Sequence, residues 1–246
     1  MEITLFTPHV GQKAVIQGFS TSQHKFGTVV TSRQWGKSLL GQNLLLFWLL
    51  QSPNQKGCWI SPIYNQAKKV FQELSDASQS IIQSSNKAEL TIKFVNGSTV
   101  QFLSSERPDS VRGFSFHYMV VDEAAYVNER GFETAILPTL TALGKKCLII
   151  STPKSKNWFY KYYLKGSDVS TDYISFRGQS TDNPYIDQSF IAEQRLSLPD
   201  DIFRQEYLAE FTDAGSEVFR GVDDACVVNQ YTKQDKASRC FVGIDT

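Results

Sequence analysis

Cysteine is scarce and widely spaced in this 246-residue chain. Cys58, Cys147, Cys226 and Cys240 form no CxxC pair, so the sequence indicates neither a disulfide framework nor a zinc knuckle. Long apolar runs are also lacking, because the longest, residues 44–50, is far shorter than the roughly 18 residues that a membrane-spanning helix needs. The N-terminus has no basic region followed by an apolar stretch of the signal-peptide type. We therefore expect a cytosolic protein that does not associate with membranes.

Extremes of composition are absent as well. Hydrophobic residues make up 41% of the chain and charged residues 20%, which excludes a disordered chain, a collagen-like chain and a coiled coil. The length allows one large domain or two small ones. Apolar, β-branched runs alternate with helical periods, and this alternation predicts an α/β protein with a mostly parallel sheet.

One segment lacks acidic residues entirely. Residues 1–167 hold 18 Lys and Arg against 10 Asp and Glu, and residues 168–246 hold 7 against 15, so a charge of +8 is followed by −8. Residues 134–167 contain no acid but six lysines and several aromatic side chains. Such a segment suits a polyanion such as DNA. It also suits a solvated basic helix whose aromatic side chains face the core, and charge alone leaves both interpretations open. The lysines are Lys145, Lys146, Lys154, Lys156, Lys161 and Lys165.

The periodicity of the sequence predicts the main elements. Strands are predicted over residues 26–31, 58–60, 118–121 and 147–150, with a hairpin over 90–95 and 99–103. Helices are predicted over 8–17, 39–51, 64–78 and 187–211, the last one broken at Pro199. Thr7 and Pro8 are the predicted N-cap and first helical position of the first helix.

The first chemical motif is Ser-Arg-Gln-Trp-Gly-Lys-Ser at residues 32–38, between a predicted strand and a predicted apolar helix. Backbone N–H groups of such a turn surround phosphate oxygens, the ammonium of Lys37 reaches the β- and γ-phosphates, and the hydroxyl of Ser38 would bind Mg²⁺. The first glycine of GxxxxGK[ST] would fall at Thr31, which is a departure from the pattern. The short Gly-Lys-Ser core is weak alone, and its strand-loop-helix setting strengthens it.

The second motif is the apolar strand 118–121 followed by Asp122 and Glu123. This pattern predicts that Asp122 holds Mg²⁺ through water and that Glu123 polarises the attacking water. The alternative is a strand end capped by two surface acids. A third strand, 148–150, runs into Ser151 and Thr152, whose hydroxyls could sense the γ-phosphate. All three motifs follow strands, and ligands of open α/β sheets bind at the carboxyl ends of strands.

Together these residues resemble the ATPase domain of the large terminase subunit of tailed double-stranded DNA bacteriophages, and the likeness covers nearly the whole chain. The matching pieces are the Arg-bearing, Gly-poor loop 33–38, Ser61-Pro62 before an Ala-Lys-Lys helix, Arg112-Gly113, residues 120–125, Ser151-Thr152-Pro153, and residues 204–211 and 215–219, which resemble the lid region of the family.

The resemblance implies a RecA-like (ASCE) P-loop ATPase with a mostly parallel central sheet flanked by helices and a small C-terminal lid subdomain. It implies an ATPase core at residues 1–175, the lid and a linker at 176–240, and the start of a truncated nuclease domain at 241–246. It further implies a motor that couples ATP hydrolysis to packaging of double-stranded DNA. The implied cofactors are ATP and Mg²⁺. The implied partners are double-stranded DNA, other copies of the chain in a homo-oligomeric ring, a portal protein and procapsid, and a small terminase subunit. The implied location is the cytoplasm of the host cell.

Residue roles follow from the motifs and the resemblance together. Gln12 would read the adenine edge, although the sequence alone interprets it as an exposed helix residue. Asp245 would be the first metal-binding carboxylate of the nuclease, and cutting of DNA is not expected from this chain. The candidate residues are Glu123, Lys37, Arg112 and Arg33 for catalysis; Gln12, Ser32, Arg33, Gln34, Trp35, Gly36, Lys37 and Ser38 for ATP; Ser38 and Asp122 for the metal; Ser151 and Thr152 for coupling; and Lys154, Lys156 and Lys161 for DNA.

Two questions stay open at this level. Arg112 could complete the site of a neighbouring subunit, Arg33 could supply the same charge within its own subunit, or Arg112 could simply pair with Asp109. A superfamily 2 helicase also uses these motifs but needs a second RecA-like domain, for which fewer than 80 residues remain after Asp168. A nucleotide-gated assembly module without turnover would better suit a chain lacking Glu123.

Overall fold

A computed structural model describes residues 6–168 and 170–212, and within them eight strands form one sheet. The strands are β1 (Phe26–Thr31), β2 (Lys56–Ser61), β3 (Ile82–Asn86), β4 (Thr91–Phe94), β5 (Thr99–Ser104), β6 (Tyr118–Asp122), β7 (Lys146–Ser151) and β8 (Tyr173–Gly178). The α-helices in this part of the chain are α1 (Val10–Ser20), α2 (Lys37–Leu50), α3 (Tyr64–Ala77), the single turn α4 (Glu129–Gly131), α5 (Trp158–Lys165), α6 (Gln188–Ser197) and α7 (Asp200–Leu208).

The sheet has the strand order β3-β4-β5-β2-β6-β7-β1-β8. Strands β5, β2, β6, β7, β1 and β8 are parallel to their neighbours within that run, whereas β4 is antiparallel to both β3 and β5. The predicted hairpin is therefore present as β4 and β5, and the predicted mostly parallel α/β sheet is confirmed.

Helices cover both faces of the central strands. Consecutive residues of a strand point to opposite faces, so Val29 and Val120 pack towards α1, α2 and α3, while Val30 and Val121 pack towards α5. All four are fully buried. Burial on both faces explains why these strands are uniformly apolar rather than alternating.

Three features of the chain differ from the sequence-based expectation. The first helix begins at Val10 and not at Pro8, because His9 is the extended N-cap residue and accepts the first backbone bond, from Lys13. Strand β3 is absent from the predicted elements, since its sequence is polar and it lies at the exposed edge of the sheet. Strand β8 is absent from them too, and the expected domain boundary at residue 175 falls within it.

Candidate active site

The loop between β1 and α2 has a backbone shaped for close approach of a ligand. Gly36 has φ 92° and Gln34 has φ 57°, both in the left-handed region that non-glycine residues seldom adopt. Strand β1 ends at Thr31 and α2 begins at Lys37, so the predicted phosphate-binding motif lies in the predicted strand-loop-helix setting. The N–H groups at the start of α2 face the carboxyl end of the sheet, which favours an anion there.

Lys37 and Glu123 meet across this loop. The Nζ of Lys37 lies 3.0 Å from Oε1 of Glu123, and the Lys37 side chain is only 10% exposed. Glu123 follows β6 directly and has φ 49°, a strained conformation of the kind that clusters at functional sites. Its second oxygen, Oε2, accepts a hydrogen bond of 3.4 Å from Oγ of Ser151. Residues from three neighbouring strand ends thus converge on one carboxylate.

Ser38 and Asp122 form a second pair beside the first. The Oγ of Ser38 donates a hydrogen bond of 2.9 Å to Oδ2 of Asp122, whose Oδ1 accepts one of 3.0 Å from the N–H of Glu123. Burial, followed by the negative charge of Glu123, raises the pKa of Asp122 to about 6, while Lys37 and the bond from Ser38 act in the opposite direction. A hydroxyl and a carboxylate are ligands that Mg²⁺ accepts, so this pair fits the predicted ion.

A cleft of about 710 Å³ opens above these side chains, within the range of small-molecule sites. It brings together residues from all three predicted motifs. Thr152, the second predicted coupling residue, is buried and lines the cleft, and Tyr126 lines it as well. The lining residues are Arg33, Gln34, Lys37, Pro62, Ile63, Gln66, Glu123, Tyr126 and Thr152.

Arg33 lies at the mouth of the cleft and is paired with α7. Its Nε forms an ion pair with Oε2 of Glu206, and its backbone N–H donates a bond of 3.0 Å to the carbonyl of Glu206. The Arg33 side chain is 70% exposed, and the charge of Glu206 raises the pKa of Arg33. Sequence reasoning misses Glu206, because nothing local links it to a residue 173 positions away.

The loop after β8 also contacts the predicted phosphate-binding motif. Ser180 Oγ donates a bond of 2.8 Å to Oγ of Ser32, and Nδ2 of Asn183 donates one of 2.8 Å to the carbonyl of Gln34. Sequence reasoning misses both residues. Recognition of β8 as a strand would have made the polar turn after its carboxyl end a candidate for the site.

Gln12 lies in α1 and is buried, so its interpretation as an exposed helix residue is wrong. Its side-chain amide bonds to the carbonyl of Gly36 at 3.1 Å and to the N–H of His9 at 3.0 Å. The ring of His9 contacts the carbonyl of Trp35 at 2.9 Å. Trp35 itself is fully buried. These contacts place Gln12 and Trp35 behind the predicted phosphate-binding loop, on the side of α1.

Arg112 lies on a surface loop and pairs with Asp109. Its Nε lies 2.6 Å from Oδ1 of Asp109, and the two side chains are 59% and 83% exposed. Arg112 borders a separate surface depression with Gly113 and Phe114, and the lining of the nucleotide-sized cleft does not include it. Within a single chain the pairing with Asp109 is therefore the arrangement present.

The basic segment is divided between two ends of the sheet. Lys145 and Lys146 lie at the start of β7, where Lys145 bonds Oε1 of Gln55 and Lys146 bonds three backbone carbonyls. Near the cleft, the Nζ of Lys154 lies 4.4 Å from the ring centroid of Tyr126. The segment therefore does not form one continuous surface.

The remaining lysines and aromatic residues differ in their surroundings. Lys161 pairs with Glu129 at 2.9 Å, and Lys156 is exposed. Trp158, Phe159 and Tyr162 are buried, which agrees with the interpretation that the aromatic side chains face the core. A contact of Lys154, Lys156 and Lys161 with DNA stays a prediction.

Some predicted residues lie outside the part of the chain that the structure describes. These are Asp245, the lid-like residues 215–219 and the nuclease boundary at 241. Within residues 6–168 and 170–212, no group of three His, Cys, Asp or Glu side chains could hold a metal ion. None of the helices in that part is long and apolar enough to cross a membrane.

Comparison with known sequences gives one consistent family. Residues 28–223 match the family described as "Terminase large subunit, T4likevirus-type, N-terminal". The terminase large subunit of Escherichia phage T5 is 31% identical over 251 residues, covering 97% of this chain and 57% of that protein. That of Thermus virus P23-45 is 30% identical over 257 residues, covering 90% of this chain and 52% of that protein. The chain thus spans somewhat more than half the length of these relatives.

Comparison with solved structures gives the same fold. The large terminase ATPase domain of Thermus phage P74-26 has a TM-score of 0.73 at 29% identity, covering 84% of this chain and 95% of that domain. A large terminase from a thermophilic bacteriophage, solved in complex with ATP-γ-S, has a TM-score of 0.70 at 14% identity, covering 83% of this chain and 53% of that protein. The predicted RecA-like fold is thereby confirmed.

Proposed function

The chain belongs to the T4-like-virus type of the terminase large subunit family, and from this premise we propose that it hydrolyses ATP and drives double-stranded DNA into a procapsid. The observation that carries the proposal is that the first turn of α2 meets the carboxyl end of β6. Lys37 pairs there with Glu123, and Ser38 bonds Asp122. Phosphoryl transfer requires a basic side chain that binds the phosphates, a carboxylate that orients the attacking water, and oxygen ligands that hold a cation.

Each side chain has a role that follows from its position. Lys37 exchanges its ion pair with Glu123 for the β- and γ-phosphates of ATP, because a nearly buried ammonium needs a negative partner. Glu123, released from Lys37 and still bonded by Ser151, orients and polarises the attacking water. Ser38 and Asp122 would hold Mg²⁺, which neutralises phosphate charge when bound.

The family and the fold support nucleotide as the ligand. The large terminase of the thermophilic bacteriophage, which shares the fold, was solved in complexes with ATP-γ-S and with ADP. We extend the proposal to the partners that such a motor needs, which are DNA, other copies of the chain in a ring, a portal and procapsid, and a small terminase subunit. We propose that it acts in the cytoplasm of the host cell. We propose no nuclease activity for these residues.

A measurement of ATP hydrolysis with Mg²⁺ and double-stranded DNA tests the proposal, with a strand-separation assay run on the same samples. We expect hydrolysis that depends on Mg²⁺ and on Glu123, without separation of strands. Unwinding of a duplex would favour the helicase alternative. Tight ATP binding with no turnover in the wild-type protein would favour the nucleotide-gated assembly module.

A further inference from the structure

Gln12 is buried between α1 and the phosphate-binding loop, with only 3% of its surface exposed. Its Oε1 accepts a bond of 3.0 Å from the N–H of His9, and its Nε2 donates one of 3.1 Å to the carbonyl of Gly36. The residues that line the cleft do not include Gln12. Both ends of its amide are thus bonded to backbone, and reading a base would require breaking these bonds.

The bond to Gly36 fixes a peptide plane. The peptide unit is planar and trans, so the carbonyl of Gly36 and the N–H of Lys37 point in opposite directions. The hydrogen bond from Gln12 fixes the direction of that carbonyl, and the N–H of Lys37 therefore points the opposite way, into the site. The same carbonyl also accepts the first bond of α2, from Leu40 at 3.0 Å, so two donors determine its direction.

His9 acts in the same way on the preceding peptide. Its Nε2 lies 2.9 Å from the carbonyl of Trp35, and since a carbonyl only accepts hydrogen bonds, Nε2 carries the proton. Fixing the Trp35 carbonyl also fixes the N–H of Gly36, which points in the opposite direction within the same peptide plane. Two successive N–H groups of the phosphate-binding loop are thus oriented from the first turn of α1.

Close packing leaves these planes little freedom. A Cβ at Gly36 would lie 2.6 Å from Nε2 of Gln12, and Gly36 has φ +92°, so the backbone and the amide are in direct contact. Trp35 is enclosed in the same way, because a Cβ at Gly11 or at Gly178 would lie within 2.8 Å of its ring. The loop at residues 32–38 therefore packs tightly against α1 before any ligand binds.

We propose that Gln12 and His9 are positioning residues that preorganise the N–H groups of Gly36 and Lys37 for a triphosphate chain, whatever base it carries. The inference rests on the proposed function, since it concerns the phosphate subsite of the same cleft. It differs from the adenine-reading role that the resemblance implies for Gln12. Preorganised donors bind an anion more tightly because the cost of ordering them has already been met on folding.

The test compares the affinities of ATP, GTP and inorganic tripolyphosphate, each with Mg²⁺, for the wild-type protein and for Gln12→Glu. The carboxylate keeps an acceptor for the N–H of His9 but loses the donor to Gly36 and places negative charge against its carbonyl. We expect all three affinities to fall by the same factor, about tenfold or more. Gln17→Glu is the matched control, because Gln17 is exposed on the same helix, and it should leave all three affinities unchanged.

A base-reading role gives a different result: ATP binds more weakly to Gln12→Glu, tripolyphosphate binds as before, and the preference for ATP over GTP is lost. That result would overturn the inference. If Gln12→Glu does not fold, as judged by its thermal melting curve, Gln12→Met and His9→Gln provide the same comparison. Hydrogen exchange of the amides of residues 35–38 without nucleotide should rise in both variants, and unchanged exchange would also contradict preorganisation.

The proposed function can fail separately. Wild-type protein that binds tripolyphosphate but hydrolyses no ATP would refute the motor proposal, while the comparison of the three ligands would still decide the role of Gln12.

Discussion

The ammonium of Lys37 and the carboxylate of Glu123 form an ion pair of 3.0 Å at the base of the cleft, with the two side chains 10% and 26% exposed. One belongs to the first turn of α2 and the other follows β6, so the residue that should bind phosphate and the residue that should activate water are partners in the free protein. If the proposed function is right, triphosphate has to replace Glu123 as the partner of Lys37. We therefore expect substrate binding to release the carboxylate that we propose as catalytic.

Replacement of either partner should have distinct effects. Lys37→Ala removes the charge that contacts the phosphates, so ATP affinity and turnover should fall together. Glu123→Gln keeps the shape and removes a competitor of the phosphates, so affinity should be retained while kcat falls by about 10² to 10⁴. Calorimetric titration with ATP and steady-state ATPase assays measure the two quantities.

The matched control is Glu129→Gln, because Glu129 forms a surface ion pair with Lys161 away from the cleft. It should change neither affinity nor turnover. Hydrolysis by Glu123→Gln at close to the wild-type rate would show that another group activates the water.

The pair between Arg33 and Glu206 should restrain substrate binding if Arg33 acts on phosphates within its own subunit. The Arg33 side of this pair is 70% exposed and the Glu206 side 16% exposed. Solvent-screened ion pairs are worth about 0.2 to 1 kcal/mol, so Glu206→Gln should lower the KM for ATP by no more than a fewfold. Arg33→Ala should raise KM or lower kcat. The measurement is a double-mutant cycle on KM and kcat for these two residues.

Glu193→Gln serves as the control, since Glu193 is exposed on α6. A rise in KM for Glu206→Gln, equal to the rise for Arg33→Ala, would mean that Glu206 holds Arg33 in its productive position. The idea of a restraint would then be wrong.

The sequence predicts those parts of the site whose signal is local. Strands β1 and β6 are recognisable because burial on both faces makes them uniformly apolar, and the residues after them are then placed at one edge of the sheet. Strand β8 escapes recognition since its sequence, Tyr-Ile-Ser-Phe-Arg-Gly, mixes apolar and polar residues, as its partial burial allows. The bonds of Ser180 and Glu206 with the predicted phosphate-binding loop join residues 148 and 173 positions apart. The hydrophobic periodicity of the sequence carries no information about pairs so far apart.

Lys154, Lys156 and Lys161 should contribute to DNA binding through phosphates. Lys154→Gln, Lys156→Gln and Lys161→Gln together should flatten the dependence of log affinity on log salt concentration, by about 0.9 for each phosphate that is no longer neutralised. Lys161 must give up its pair with Glu129 to take part. Fluorescence anisotropy with duplexes of unrelated sequence, across a range of salt concentrations, measures the slope.

Lys145→Gln is the control for this experiment. Lys145 bonds Gln55 at the opposite end of β7, so its replacement should leave the slope as it is. A slope that stays the same in the triple variant would place the DNA path on another surface.

Arg112 is suited to act on a neighbouring subunit because its present partner holds it weakly. Its ion pair with Asp109 joins two largely exposed side chains, and such pairs contribute little free energy. Exchange of Asp109 for a phosphate of a neighbouring site therefore costs little, and the planar, permanently charged guanidinium is suited to the transferring phosphoryl group. Arginine fingers of this kind contribute about 10³ to 10⁵ in rate.

Subunit mixing tests this role. Arg112→Ala protein has an intact Lys37 and Glu123, and Glu123→Gln protein has an intact Arg112. Each should be inactive alone, but mixed rings should regain part of the ATPase activity at interfaces that join an intact site to an intact Arg112. Arg33→Ala mixed with Glu123→Gln should show no recovery if Arg33 acts within its own subunit.

Asp109→Asn separates this role from the surface pairing. If Arg112 matters only as the partner of Asp109, then Asp109→Asn should lose as much activity as Arg112→Ala does. If Arg112 acts on the neighbouring site, Asp109→Asn should keep near wild-type turnover, since it removes only the partner that Arg112 leaves. Light scattering should first show that mixtures of Arg112→Ala and Glu123→Gln form rings. If such rings stay inactive, Arg112 does not act on a neighbouring subunit.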